Sequence, residues 1–259
     1  MESVDAKLAR AKEHLRAFDA ESLEFFKLSR PTFIRKTNGA EHWLVCYTQD
    51  PFPPMRLSVL VGDVLHNLRS TLDSLVCGLI KTGDPASVCD KSEFPIFIDQ
   101  QEYAKKASRL LKGVPEPACK MIESFQPWAR PESTRQIDPL WSIHSLHNHD
   151  KHRAVHLTVC AHRGLGIIVP MKNGVGVQVS PEPVVLAMQP AIIPLPGNPN
   201  DFDDSVNVHI SGRTVLFFGG QPALASLPVS DILDNCLRHV EDRIVPMFRR
   251  FFRSDSSSD

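Results

Sequence analysis

The sequence predicts an α+β fold with a helical first part, an antiparallel β-sheet and a C-terminal helix. Three observations support this prediction. Apolar residues recur at helical spacing across residues 55–81 and form one broad stripe. Short β-type runs separated by turn residues follow residue 154. Residues after 229 again have a pattern typical of a helix. Helices therefore flank a group of strands joined by short turns, which is typical of α+β proteins.

The first part is predicted to contain about five helices and a hairpin. Asn38-Gly39 separates two β-prone runs and indicates a tight primed turn. Asp138 followed by Pro139 indicates a helix start, with Asp as the N-cap and Pro at the first helical position. The helices are predicted over 3–28, 55–81, 100–112, 115–125 and 138–152.

The second part is predicted to be an antiparallel sheet built from short runs. Lys172-Asn173-Gly174 supplies one hairpin turn, and Ser211-Gly212 is predicted to join two further strands. Residues 190–204 are rich in Pro, Asn and Asp and are predicted to be a loop. Pro246 should kink the last helix, because it lacks the backbone N–H that an interior helical position donates.

These elements define the predicted domain organisation, which is one compact unit. Its parts are 1–153, mainly helical; 154–228, β-rich; 229–253, a C-terminal helix that packs back; and 254–259, a polar tail predicted to be disordered.

Composition excludes several classes of protein. The net charge is −1, so no overall field draws the chain to nucleic acid or membrane. The N-terminal residues include acidic ones and form no apolar run, and no stretch reaches the length of a membrane span, so we expect no membrane association. The six cysteines are scattered without a C-x-x-C pair, which predicts free thiols and a cytoplasmic location.

Chemistry-bearing residues concentrate between His144 and Arg153, where four of the eleven histidines lie within ten residues. Histidines titrate near neutral pH, so His144 and His152 are candidate acid–base groups. Asp150 falls on the apolar face of this helix and is the candidate group that orients an imidazole. Lys151 and Arg153 are candidate phosphate ligands.

A second polar segment lies on the 55–81 helix. His66 and Arg69 could bind the same ligand, together with Asn148 of the later helix. We therefore expect one site between the 55–81 and 138–153 helices, opening toward the β-rich part. A solvated polar face and an ordinary Arg69–Asp73 ion pair would explain the same residues without a site.

Two other interpretations of the cluster stay open. No cofactor is predicted, but a divalent metal could be held by His144, His147, Asp150 and His66, which supply nitrogen and oxygen ligands. Alternatively, Asp150 could be a buried carboxylate paired with Arg69 or Arg153 in a purely structural network.

Four segments resemble a bacterial protein family of uncharacterised function. They are Leu68–Leu75, which matches "LRSxLDxL", then Phe94–Phe97, Gln126-Pro127, and Leu146–Arg153, which matches "LxNxDKHR". The resemblance covers about residues 55–160 and implies no activity.

A more distant likeness is to HEPN helical domains, many of which are ribonucleases in which an Arg is followed, after four to six intervening residues, by a His on a helix. This chain departs from that pattern, because neither Arg69 nor Arg153 has such a His. Arg35 and His42 have that spacing but lie on the predicted hairpin. The likeness therefore implies architecture and not a catalytic motif.

The hypothesis that unites these observations is a metal-independent phosphodiesterase or ribonuclease-like enzyme acting on RNA or a nucleotide. The alternatives are an anion- or nucleotide-binding module without catalysis, a structural or partner-binding protein, and a metal-dependent hydrolase. The sequence decides neither whether the protein is an enzyme nor whether it forms a homodimer.

Overall fold

The computed structural model confirms the α+β fold, with a helical N-terminal region, antiparallel strands and a C-terminal helix. The structure describes residues 1–28, 32–47, 52–152, 155, 157–179, 184–185, 190–202, 209–224 and 227–252. The α-helices are α1 (Glu2–Leu28), α2 (Met55–Gly83), α3 (Gln100–Leu110), α4 (Glu116–Ser124), α5 (Glu132–Arg135), α6 (Pro139–His152), α7 (Val229–Arg238) and α8 (Val245–Phe248).

The strands form two antiparallel sheets. They are β1 (Thr32–Asn38), β2 (Glu41–Tyr47), β3 (Leu157–Pro170), β4 (Gly176–Val179), β5 (Val184–Val185), β6 (Ala191–Pro194) and β7 (His209–Phe218). The first sheet has the order β1-β2-β6. In the second sheet, β3 pairs with β4, β5 and β7.

Local sequence signals correctly predicted the two hairpin turns and the start of α6. Gly39 and Gly174 have φ angles of 62° and 80°, which a side chain would disfavour at both turns. Asp138 caps α6, since its Oδ1 accepts a hydrogen bond of 2.9 Å from the Leu140 N–H. Pro139 is the first residue of that helix, as predicted.

Two strand predictions were wrong. The Pro-rich stretch predicted as a loop contains β6, whose residues Ala191–Pro194 pair with β2. Pro194 lies at the end of this strand, on a sheet edge where its missing N–H is tolerated. Ser211-Gly212 is not a turn, because β7 runs through it as one strand opposite β3. Irregular register between β3 and β7 accommodates the break in the apolar pattern.

The C-terminal helix is interrupted, as Pro246 predicted, but by a π-helical turn instead of a simple kink. After α7, residues His239–Ile244 form this turn, and the Val245 N–H bonds to the Val240 carbonyl. Pro246 cannot donate the bond of a regular helix, and α8 begins just before it.

The described residues divide into two compact units. Unit 1 comprises Met1–Asp19, Ser58–Val155 and Ser230–Asp259, and unit 2 comprises Ala20–Leu57 and His156–Val229. The predicted organisation differs from this division, because the β1–β2 hairpin belongs with the later strands and not with the helices. The cause is the β2–β6 pairing, which the sequence pattern does not reveal.

Each unit has its own apolar interior. Unit 1 buries the predicted stripe of α2 together with Leu140, Ile143 and Leu146 of α6. Unit 2 buries a cluster made of Leu44, Cys46, Val169, Ile193, Leu195 and Phe202. Among the described helices, none is long and apolar enough to cross a bilayer.

The prediction that every cysteine is a free thiol was wrong. Cys77 near the end of α2 and Cys89 in the following loop form a disulfide, with their Cα atoms 5.5 Å apart. Cys46, Cys119 and Cys236 are free. Cys160 belongs to β3, in a part of that strand whose side chains lie outside the description.

Candidate functional site

The two motif helices, α2 and α6, meet where Asp150 lies against Gly62. A Cβ atom placed on Gly62 would come within 2.5 Å of Asp150 Oδ2 and 2.9 Å of its Cγ. Only glycine leaves room for the carboxyl group at this point. The sequence leaves open whether these helices touch, and the structure places them in contact.

Histidines from both helices lie beside this contact. The rings of His66 on α2 and His147 on α6 have centroids 5.7 Å apart, inclined by 48°. His147 is buried, whereas His66 is exposed. The His147 ring is therefore surrounded by protein, whereas the His66 ring is accessible to solvent.

Helix α1 adds two charged or titratable groups to the polar face of α2. His14 Nδ1 lies 3.7 Å from Asp63 Oδ2, and Lys7 Nζ donates to Ser74 Oγ over 2.5 Å. The polar face of α2 is thus partly covered by α1 instead of being only solvated. We call His14, Asp63, His66, His147 and Asp150 the His/Asp cluster.

Burial and neighbouring charges both act on the Asp150 carboxyl group. Burial raises the pKa of the Asp150 carboxyl above its usual value, and the negative charge of Asp63 raises it further. A hydrogen bond from the Val155 N–H and the nearby His149 and His66 act in the opposite direction but do not cancel the effect of burial. This raised pKa makes Asp150 a candidate for proton exchange.

His144, a predicted catalytic residue, lies on another edge of α6. Its ring stacks on Trp141 with centroids 5.4 Å apart, and Asn148 Nδ2 lies 3.0 Å from its Nε2. Six residues of helix place His144 about 240° around the axis from Asp150. The geometry therefore does not support the prediction that Asp150 orients His144. Asn148, predicted to bind a ligand, contacts His144 instead.

Arg69, a predicted ligand-binding residue, is part of a clamp. Its Nη2 lies 2.9 Å from Asp73 Oδ1 and 3.1 Å from Glu93 Oε2. Asp73 Oδ1 also accepts a hydrogen bond of 2.9 Å from the Phe94 N–H. The ion pair predicted between Arg69 and Asp73 is confirmed, and it fastens the loop after α2 to that helix.

The same loop is held from a second side by Gln126. Its Oε1 accepts a hydrogen bond of 3.1 Å from the Phe97 N–H, and its Nε2 donates to the Pro95 carbonyl over 2.7 Å. Three of the four segments that carry the family resemblance therefore meet around this loop. Their side chains have a structural explanation that requires no ligand.

The metal interpretation does not fit the described residues. Among these residues, no three His, Cys, Asp or Glu side chains form a group that could hold a metal ion. The predicted set of His66, His144, His147 and Asp150 is described in full, and it forms no such group. The position of His144 beside Trp141 explains why the set does not close.

The remaining predicted site residues are Lys151, His152 and Arg153, and their side chains do not belong to the described part of the structure. Lys151 and His152 are the last residues of α6, but their side chains lie outside the described residues, as does the whole of Arg153. Their assigned roles stay predictions.

Gly62 and His14 are residues of this site that the sequence reasoning missed. Glycine in a helix interior costs about 1 kcal/mol relative to alanine, so Gly62 within an amphipathic helix was a signal of close packing. No comparable signal marked His14, because its proximity to Asp63 depends on how α1 packs.

Comparison with protein-family models, with curated proteins and with solved structures finds no match to this chain.

Proposed function

We propose that the His/Asp cluster carries out metal-independent acid–base cleavage of a phosphodiester bond in RNA or a nucleotide. The observation that carries the proposal is the meeting of Asp150, whose pKa is raised by burial, with the His66–His147 pair across α2 and α6. Two groups that can exchange protons on facing helices are the minimum that acid–base catalysis requires.

RNA suits such a site because it supplies its own nucleophile. A general base removes the proton from the 2′-hydroxyl, whose oxygen attacks phosphorus while a general acid protonates the departing 5′-oxygen. The products are a 2′,3′-cyclic phosphate and a free 5′-hydroxyl. This reaction requires no metal and no oxidant.

The exposure of each group suggests its role in this proposal. His66 is exposed and acts as the base, whereas protonated Asp150 acts as the acid. His147 is buried beside His66 and is a positioning residue. Lys151 and Arg153 would hold the phosphate, and His152 remains a second sequence-based candidate for proton transfer.

The test is cleavage of a fluorogenic RNA oligonucleotide in the presence of EDTA. His66→Gln and Asp150→Asn should each lower kcat about 100-fold or more, which is the usual contribution of general acid–base catalysis. Lys120→Gln is the surface control, since Lys120 is exposed on α4. Its Nζ lies 2.9 Å from Oε1 of Glu116, which is also exposed. Lys120→Gln should leave the rate unchanged.

A substrate with a single 2′-deoxy residue at the cleaved position should resist the enzyme. Cleavage of that substrate, or full activity of both variants when circular dichroism shows them folded, would reject the mechanism. Separate His144→Ala and His152→Ala variants test the assignments made from sequence alone.

The close packing of Asp150 on Gly62 favours a structural role for the cluster as the second candidate. In that case the wild-type protein would cleave no RNA, and Asp150→Ala would change only the unfolding midpoint. An anion-binding module would instead bind a nucleotide without forming product.

A cytoplasmic location and a homodimer also remain proposals. The Cys77–Cys89 disulfide removes the thiol argument for a reducing compartment. Fractionation of the source cells and light scattering of the purified chain would test the two statements.

A further inference from the structure

A cavity of about 520 Å³ lies in unit 1 at the start of α6. Its volume lies within the range of small-molecule sites. All of its lining residues except Pro139 carry charge or a hydrogen-bonding group: Arg130, Asp138, Asn235, Arg238, His239, Asp242 and Arg243. We call it the arginine cavity.

The acidic side chain on the α6 wall is already satisfied by the protein. Asp138 is buried, and its Oδ1 accepts the Leu140 N–H over 2.9 Å. Its Oδ2 lies 3.4 Å from Arg130 Nε, while Arg130 itself remains partly exposed. Asp138 therefore fixes Arg130 at the wall without presenting a free negative charge to the cavity.

The opposite wall is one face of α7 and the π-helical turn that follows it. Its lining residues are spaced i, i+3, i+4, i+7 and i+8 along the chain, and they are Asn235, Arg238, His239, Asp242 and Arg243. π-Helical turns are rare and occur frequently at functional sites. This spacing is visible in the sequence.

His239 provides an independent indication of a ligand. It is 9% exposed, and its Nε2 has no hydrogen-bond partner within the described part of the chain. Burial lowers the pKa of His239, so the imidazole is neutral near pH 7 and can donate or accept one hydrogen bond at Nε2. A buried polar atom without a partner is costly, and a bound hydroxyl or phosphate oxygen would satisfy it.

The balance of donors and acceptors indicates the kind of ligand. Arg130, Arg238 and Arg243 supply three guanidinium groups, which match phosphate oxygens in geometry and charge. Asp242 and Asn235 are exposed and can bond hydroxyl groups. Arg238 also pairs with Asp234, one turn earlier on α7.

We propose that the arginine cavity binds a small phosphorylated polyol, with the three arginines holding the phosphate and with Asp242 and Asn235 holding hydroxyl groups. The ligand is a sugar phosphate or the ribose phosphate of a nucleotide. The site is distinct from the His/Asp cluster, because Asp138 and Asp150 are twelve residues apart on one helix, or about 18 Å at 1.5 Å per residue.

Isothermal titration calorimetry of the full chain with ribose 5-phosphate, AMP and inorganic phosphate tests this proposal. Arg238→Gln and Arg243→Gln should each weaken ribose 5-phosphate binding about 10-fold or more, which corresponds to about 1.4 kcal/mol. Asp242→Asn should weaken ribose 5-phosphate but not inorganic phosphate. Tighter binding of AMP than of ribose 5-phosphate would identify the nucleotide as the source.

Arg10→Gln is the matched control. Arg10 and Arg238 are both exposed helical arginines paired with a carboxylate one turn away, but only Arg238 lines the cavity. Arg10→Gln should therefore leave binding unchanged. The proposal is overturned if no probe binds at millimolar concentration, if Arg10→Gln weakens binding as much as Arg238→Gln, or if inorganic phosphate binds as tightly as ribose 5-phosphate.

Discussion

Substitution of Gly62 by alanine tests whether α2 and α6 meet as described. The new methyl carbon would lie 2.5 Å from Asp150 Oδ2, well inside van der Waals contact. The Asp150 side chain must then rotate away, and it loses the hydrogen bond that the Val155 N–H donates to its carboxyl group.

The size of the effect follows from two opposing contributions. Loss of the hydrogen bond leaves the N–H of buried Val155 without its acceptor, which costs about 1–3 kcal/mol, and we take about 2 kcal/mol, the middle of this range. Alanine in a helix interior is more stable than glycine by about 1 kcal/mol. Gly62→Ala should therefore destabilise the protein by about 1 kcal/mol in the wild-type background.

In an Asp150→Ala background the obstruction is gone, so Gly62→Ala should stabilise by about 1 kcal/mol. The coupling energy between the two positions is then about 2 kcal/mol, within the range for residues in contact. Urea unfolding of the four proteins measures this cycle, because a change in midpoint at constant slope reports stability.

Gly83→Ala is the control for this cycle, since a Cβ atom there meets no heavy atom of the described residues within 4 Å. It should show no coupling to Asp150. If Gly62→Ala stabilises the wild type and the Asp150→Ala protein equally, the carboxyl group does not lie on Gly62, and the geometry of the His/Asp cluster is refuted.

Three further perturbations address other parts of the chain. Because the pKa of Asp150 is raised, the contribution of this carboxyl group to stability should fall as pH rises from about 3.8 through its raised pKa. In urea unfolding, Asp150→Asn should therefore gain stability relative to wild type as pH rises from about 4 toward neutral; a difference that does not change with pH would contradict this. Arg69→Met should destabilise by about 1–2 kcal/mol by breaking the buried clamp, whereas exposed Arg56→Met should change stability by less than about 0.5 kcal/mol. Equal melting temperatures for these two variants would count against the clamp. Replacing Cys77 and Cys89 with serine should lower the free energy of unfolding by about 3 kcal/mol, which is the entropy of closing a loop of this separation. If reductant leaves the melting temperature of the wild-type protein unchanged, the bond is absent.

Signals contained in a few adjacent residues could be predicted from the sequence. Asn38-Gly39 defines its turn through a positive φ that glycine tolerates, and Asp138 caps α6 through its own side chain. The buried stripe of α2 follows from helical periodicity alone. Each of these signals is local, so no knowledge of the remaining fold is needed.

Features that depend on distant segments could not be predicted. The Cys77–Cys89 disulfide requires the loop after α2 to fold back on that helix, and the Arg69 clamp supports this path. The geometry of the His/Asp cluster likewise depends on contacts between distant segments. Asp150 was identified because its helix is rich in histidine, whereas its contact with Gly62 depends on how two helices pack.

The pairing of β2 with β6 has a consequence for how this chain folds. Val45 lies opposite Ile192, so the central strand of the first sheet receives its third member from 147 residues further along the sequence. Contacts of such large separation close slowly, because the entropy of a long loop is lost before the contact forms.

During synthesis at about 5–20 residues per second, the β1–β2 hairpin leaves the ribosome roughly 7–30 s before β6 exists. One edge of β2, which carries Leu44 and Cys46 of the later core, stays unpaired during that interval. An open apolar edge is a template for pairing with other chains. Aggregation of nascent chains truncated before β6 should therefore exceed that of the full-length protein.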